Sequence, residues 1–297
     1  MTIWTYQGWL GLGHTRSELT RELKTGRLVR LRRGFLATPP DNEWDGAALQ
    51  RAAATAPFLG AGTVFARETA ASIHGLPLMP WRTGEVIVYR TGGGHGSVLP
   101  TVHARQASLA EADVQRHGGL PVTSLARTAA DLARSLPFEE AVAVVDAALA
   151  RGLAREELLR RASTGRGCRM ARRAIEAADP LSESAGESVS RARIIQHGFP
   201  LPRLQVEITD ASGTLIGRVD FLWEGIGLVG EFDGQVKYGR LVPRGSSTLD
   251  VVAAEVVRER ALEDAGYRVI RWSWSDLWDG TLSALLTREL LGSTRQP

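Results

Sequence analysis

The chain has 297 residues, 43% hydrophobic and 23% charged, with 36 basic residues against 33 acidic ones. This composition excludes a disordered polymer, and no apolar run reaches the roughly 20 residues of a membrane-spanning helix. A net charge of +3 does not by itself point to nucleic acid, and the single cysteine, Cys168, excludes an intrachain disulfide framework. The first ten residues lack the basic and apolar segments of a signal peptide, so a soluble cytoplasmic protein without a membrane partner is expected.

Pattern divides the chain into residues 1–40, 41–180 and 181–297. The first region concentrates charge: seven bases (Arg16, Arg21, Lys24, Arg27, Arg30, Arg32, Arg33) face two acids, Glu18 and Glu22. Thr15 with Glu18 three residues on forms a capping box, which predicts a helix closed by Gly26. Residues 28–36 then read as a strand, a tight turn at Gly34 and a second strand, stopped by Pro39-Pro40. In the middle region, helices are expected over 47–58, 64–74, 124–135, 138–151, 156–163 and 169–178. A short strand is expected at 63–66, and strands at 85–89 and 101–105 flank a glycine-rich hairpin loop, Thr91-Gly92-Gly93-Gly94-His95-Gly96. That loop lacks the Gly-Lys-Ser/Thr ending of a phosphate-binding loop.

The third region reads as helix (184–197), three strands (204–209, 215–223, 228–233), helix (249–265), strand (267–272) and a short closing helix. This order predicts an α/β unit with a mixed sheet. Placing Glu224 to Gly227 in the hairpin loop sets Trp223 opposite Leu228, Asp220 opposite Glu231 and Arg218 opposite Asp233. Alternation then gathers Asp220, Glu231 and Asp233 on one face, leaving Val219, Phe221, Trp223, Leu228 and Phe232 for the core. Opposed carboxylates destabilise a sheet unless a proton, a cation or an arginine compensates, and Mg²⁺ or Mn²⁺ suits an oxygen donor set. The alternative is a surface hairpin whose acids face water while Arg218 neutralises Asp233. Residues Leu241-Val242-Pro243-Arg244-Gly245-Ser246 match a thrombin recognition sequence, and their internal position argues for coincidence.

The helix bearing Glu187, the Val219-Asp220 pair, Glu231-Phe232-Asp233-Gly234 and Tyr267-Arg268-Val269-Ile270-Arg271-Trp272, in that order, resemble the PD-(D/E)XK nuclease superfamily. The branch they are most similar to is that of very-short-patch-repair endonucleases, over about residues 181–274. The resemblance implies Asp220 and Glu231 as metal ligands, Asp233 as a nearby ligand or outer acid, and Glu187 as the glutamate of the first helix, with Glu183 the weaker choice. It also implies metal-dependent hydrolysis of phosphodiesters. The usual lysine position, two residues after the acid, is occupied by Asp233; Lys237 is the candidate to supply the missing charge. Arg258 and Arg260 on the following helix are candidates for substrate phosphates.

The first region resembles the winged-helix head of AbiEi-type antitoxins, with His74-Gly75-Leu76 and Pro121-Val122-Thr123-Ser124 fitting the middle part of such proteins. A helix carrying Arg16, Arg21 and Lys24 beside a wing carrying Arg30, Arg32 and Arg33 suits a DNA backbone. Two functions follow: a DNA-binding, Mg²⁺- or Mn²⁺-dependent endonuclease, with RNA not excluded as substrate, or a repressor or antitoxin whose nuclease fold has lost catalysis.

Overall fold

A computed structural model describes residues 2–40, 45–91, 102–234 and 248–292. By its internal contacts the chain forms two units, residues 1–136 with 152–172 and residues 137–151 with 173–297. Both units mix helices and sheets, so the chain is an α/β protein. Among the described residues no helix is long and apolar enough to cross a membrane.

In the first unit, β1 (Ile3–Thr5) and α1 (Tyr6–Gly11) precede the expected capped helix α2 (Arg16–Lys24). Thr15 Oγ1 accepts the Glu18 N–H at 3.2 Å and Glu18 Oε2 accepts the Thr15 N–H at 2.7 Å, so two otherwise orphaned donors are satisfied. The wing follows as β2 (Val29–Arg32) and β3 (Phe35–Ala37), with Gly34 at φ +83 making the turn. β1 adds to the far side of β3, giving the order β1-β3-β2. Trp9, Leu19, Leu28 and Leu36 form the core beneath.

Helix α3 (Asp45–Thr55) leads to β4 (Thr63–Phe65), α4 (Arg67–His74), β5 (Val86–Arg90), β6 (Val102–Gln106), β7 (Val114–His117), β8 (Leu120–Thr123) and α5 (Leu125–Ala133). The strands make a five-stranded sheet, β6-β5-β4-β8-β7, packed around Phe65, Val86, Val88, Val102 and Val122. Two features correct the sequence reading. The β7–β8 hairpin was not expected, because its charged first strand (Val-Gln-Arg-His) carries no apolar alternation. β5 and β6 pair in parallel, so their connection is a crossover and not a hairpin. The glycine-rich segment itself falls outside the described residues. Helix α7 (Arg155–Arg161) completes this unit, and α8 (Cys168–Ala177) carries the chain across the division at residue 172.

The second unit takes α6 (Phe138–Ala150) together with α9 (Ala185–Gln196), β9 (Arg203–Thr209), β10 (Leu215–Trp223), β11 (Leu228–Asp233), α10 (Thr248–Asp264), β12 (Arg268–Ser273) and α11 (Thr281–Leu286). The sheet runs β12-β11-β10-β9; β10 is antiparallel to both neighbours, and β11 and β12 are parallel across α10. On one face Leu262 of α10 packs with Leu222, Val229 and Ile208. On the other, α9 lies so close that a Cβ at Gly186 would overlap the Phe232 ring. Trp272 is 2% exposed there, and its Nε1 donates to Ser190 Oγ at 2.8 Å. Removing about 200 Å² of aromatic surface from water contributes about 5 kcal/mol at this one residue.

Candidate functional site

The tip of the β10–β11 hairpin has the expected register, Trp223 with Leu228, Leu222 with Val229 and Phe221 with Gly230. Gly230 leaves room for Trp272, whose ring would stand 2.6 Å from a Cβ there. Beyond that pair the side chains take over from the ladder. Asp220 turns back on the neighbouring strand, its Oδ2 accepting the Phe232 N–H at 2.9 Å. Opposite it on β9, Gln205 adopts φ +51, a left-handed conformation that costs an ordinary residue about 1–3 kcal/mol. From there Gln205 Nε2 donates to Glu187 Oε2 at 2.8 Å and to Asp220 Oδ1 at 3.4 Å, linking the two carboxylates.

Glu187 sits at the start of α9, where Ser184 Oγ accepts its N–H at 3.1 Å and its own Oε2 accepts the Glu183 N–H at 2.9 Å. It is 8% exposed. Burial pushes Asp220 up to about 6; Glu187 and Glu231 push the same way, against the Phe232 N–H that favours the ionised form. Three of the expected acids therefore act on one another.

Glu231 faces α10, as alternation with Val229 requires. Its Oε1 accepts from Arg258 Nη2 at 2.6 Å and its Oε2 from Arg271 Nε at 3.1 Å. Arg258 also donates to the Arg218 carbonyl at 2.8 Å, crossing β10 where Gly217 offers no side chain. Arg271 is shared with Glu259 at 2.7 Å and Glu255 at 3.8 Å. Three carboxylates, Glu231, Glu255 and Glu259, thus share two guanidiniums.

Several expectations change. Arg218 does not stand against Asp233: it pairs with Glu183 at 2.6 Å, because the β10–β11 ladder stops at Phe221 and Gly230. Arg258 is turned inward to Glu231, whereas Arg260 is exposed. Val219 packs with Leu222 and Val229, not on the opposite face, next to the distortion at Gln205. Asp233 ends β11 beside Ser273. Lys237 and residues 241–246 lie outside the described residues. Among the described residues no three Asp, Glu, His or Cys side chains gather closely enough to hold a metal ion. As arranged, Asp220, Glu231 and Asp233 do not fit Mg²⁺ or Mn²⁺: Glu231 is engaged by two guanidiniums, and Asp220 by a backbone N–H and an amide.

In the head, Arg16, Lys24, Arg30 and Arg33 are exposed, and Arg30 and Arg33 line a cleft of about 270 Å³ beside Tyr6 and Gly34. Arg21 is also exposed and lies 3.4 Å from Glu22. Arg32 is the exception. Its guanidinium stacks 4.2 Å from the Phe58 ring centroid and 6.0 Å from that of Phe35, fastening the wing to the rest of the unit. Sequence reasoning missed Gln205 and Glu259. A polar residue at the strand position facing Asp220 was the available signal for Gln205, but its backbone conformation is not written in the residue type.

Fold and site define a mixed α/β protein with a carboxylate–arginine cluster in its second unit. No family model matches the chain. Two uncharacterized proteins of Mycobacterium tuberculosis, MT2308 of strain CDC 1551 and Rv2248 of strain H37Rv, are each 32% identical to it over 263 residues, covering 82% of this chain and 93% of the relative. The chain belongs to their family. Among solved structures, the RV2827C protein of Mycobacterium tuberculosis is similar with a TM-score of 0.36 at 17% identity, over 69% of this chain and 79% of that one, a likeness too low to define a shared fold.

Proposed function

We propose that the protein is a DNA-binding protein of repressor or antitoxin type, whose second unit keeps a restriction-endonuclease-like αβββαβ order while its acidic site is closed by its own arginines. The observation that carries this reading is Glu231 held simultaneously by Arg258 and Arg271, with guanidiniums where a cation would compensate the opposed acids. DNA contact falls to the winged-helix-like head, where exposed Arg16, Arg21, Lys24, Arg30 and Arg33 suit phosphate neutralisation. The test pairs a mobility-shift assay with a cleavage assay in Mg²⁺ or Mn²⁺. Duplex DNA should shift without being cut; cutting that disappears in Asp220→Ala would overturn the reading.

The second reading is a Mg²⁺- or Mn²⁺-dependent endonuclease, acting on DNA or RNA. It is favoured by Asp220, whose ionisation burial opposes first and the charges of Glu187 and Glu231 oppose further, a repulsion that a bound cation would relieve. It requires Arg258 to leave Glu231, with Lys237 supplying the positive charge that Asp233 displaced.

A further inference from the structure

A second charged cluster lies wholly within the first unit and plays no part in the reading above. Arg67 opens α4 with φ +52, a conformation that non-glycine residues rarely adopt and that tends to mark ligand-binding positions. Its Nη2 donates to Ser135 Oγ at 2.9 Å and its Nε lies 3.3 Å from Glu68. Arg134, at the end of α5, donates to Asp131 Oδ1 at 2.7 Å and to the Thr164 carbonyl at 3.1 Å, tying the helix to the loop that carries Arg166. Gly167 in that loop has φ +82, and a Cβ there would overlap the Arg134 carbonyl, so the loop is seated at backbone contact.

Arg67, Arg105, Arg134 and Arg166 thereby line a cleft of about 590 Å³ with Asp131 and Ser135. Asp131 is the single lining carboxylate, and its charge is already taken up by Arg127 Nε at 2.8 Å and Arg134, with the Tyr89 hydroxyl donating at 2.9 Å. Arg67 and Arg134 are mostly buried and fixed by these bonds, whereas Arg105 and Arg166 are exposed at the rim. Among the described residues neither rim arginine is ion-paired. Four guanidiniums thus line one hollow, Arg67 and Arg134 held in place by Glu68 and Asp131 and the two at the rim left to meet an incoming anion.

We propose that this cleft binds a phosphate-bearing ligand of nucleotide size. The volume falls within the roughly 300–1,000 Å³ of small-molecule sites. The planar guanidinium fork matches phosphate oxygens bidentately, and a terminal phosphate carries about −1.5 to −2 at neutral pH. A free nucleotide and the terminal phosphate of a nucleic acid offer the same chemistry. The proposal does not depend on the head, since Arg30 and Arg33 lie outside this cleft.

Calorimetric titration of the full chain with pyrophosphate, ADP, and a short oligonucleotide with and without a 5′-phosphate tests it. Pyrophosphate and ADP should bind, and Arg105→Ala with Arg166→Ala should weaken both at least tenfold without lowering the melting temperature. Binding confined to the 5′-phosphorylated oligonucleotide, lost in the same double variant, would support the site and assign the phosphate to a nucleic-acid terminus. No binding of any probe at millimolar concentration, or equal affinities in variant and wild type, would overturn the proposal.

Discussion

Asp146→Asn should make the second unit more stable at neutral pH, because the wild-type carboxyl is ionised in a place that resists charge. Asp146 on α6 is 0% exposed; its Oδ1 accepts the Asp179 N–H at 2.7 Å. Burial pushes it from 3.8 up to about 6, although that N–H, the Ser188 and Ser182 hydroxyls and the Arg191 charge all favour ionisation. Between those two values the native state holds a proton that the unfolded state has released. The protonated carboxyl's contribution is therefore full below about pH 4 and is lost as pH rises through about 6. Roughly two units at 1.36 kcal/mol each give about 3 kcal/mol as the largest loss. Asparagine keeps the acceptor for Asp179 and never ionises. Urea unfolding followed by tryptophan fluorescence at pH 4 and pH 7.5 should therefore show a gap between variant and wild type that opens by up to about 3 kcal/mol with rising pH. A gap of the same size at both pH values would refute the reasoning.

Other perturbations separate roles that lie close together. Replacing Arg30 and Arg33 by alanine should weaken DNA binding and lower the slope of log K against log salt by about 2, one contact each, whereas Arg32→Ala should lower the melting temperature and leave that slope unchanged. Thr15→Ala removes the side-chain acceptor of the Glu18 N–H, leaving the backbone N–H that Glu18 caps, and should cost about 1 kcal/mol in thermal or denaturant unfolding of the first unit. Gly186→Ala drives a methyl into the Phe232 ring and should cost about 1–3 kcal/mol, read from the unfolding midpoint. Arg258→Ala should release Glu231 on one side and raise Mn²⁺ affinity above that of the wild type in a calorimetric titration; unchanged affinity would show that Arg258 does not exclude cations.

The parts of this fold legible in the sequence are those set by local chemistry. The Thr15–Glu18 box fixed the start of α2, Gly34 marked the wing turn, and the Trp223–Leu228 register followed from the four-residue loop between them. What escaped was governed by tertiary partners. Parallel pairing of β5 with β6 depends on the crossover between them, and the β7–β8 hairpin has too little alternation to declare itself. At the site, strand period breaks: Val219 shares a face with Leu222, Asp220 is linked through Gln205 to Glu187 of α9, and Glu231 faces α10, although Asp220 and Glu231 still act on one another through their charges. Alternation could not foresee that Gly217 would let Arg258 cross β10, nor that Arg271, coming from the last strand, would share Glu231 with Glu259. Charge compensation here is assembled from segments far apart in the chain, and no local spacing records it.

The central claim is that arginines, not a metal ion, balance Glu231. Calorimetric titration of Mn²⁺ into the wild-type protein and Asp220→Ala addresses it directly. The account predicts no saturable heat that distinguishes the two proteins; a stoichiometric binding isotherm in the wild type that vanishes in Asp220→Ala would contradict it.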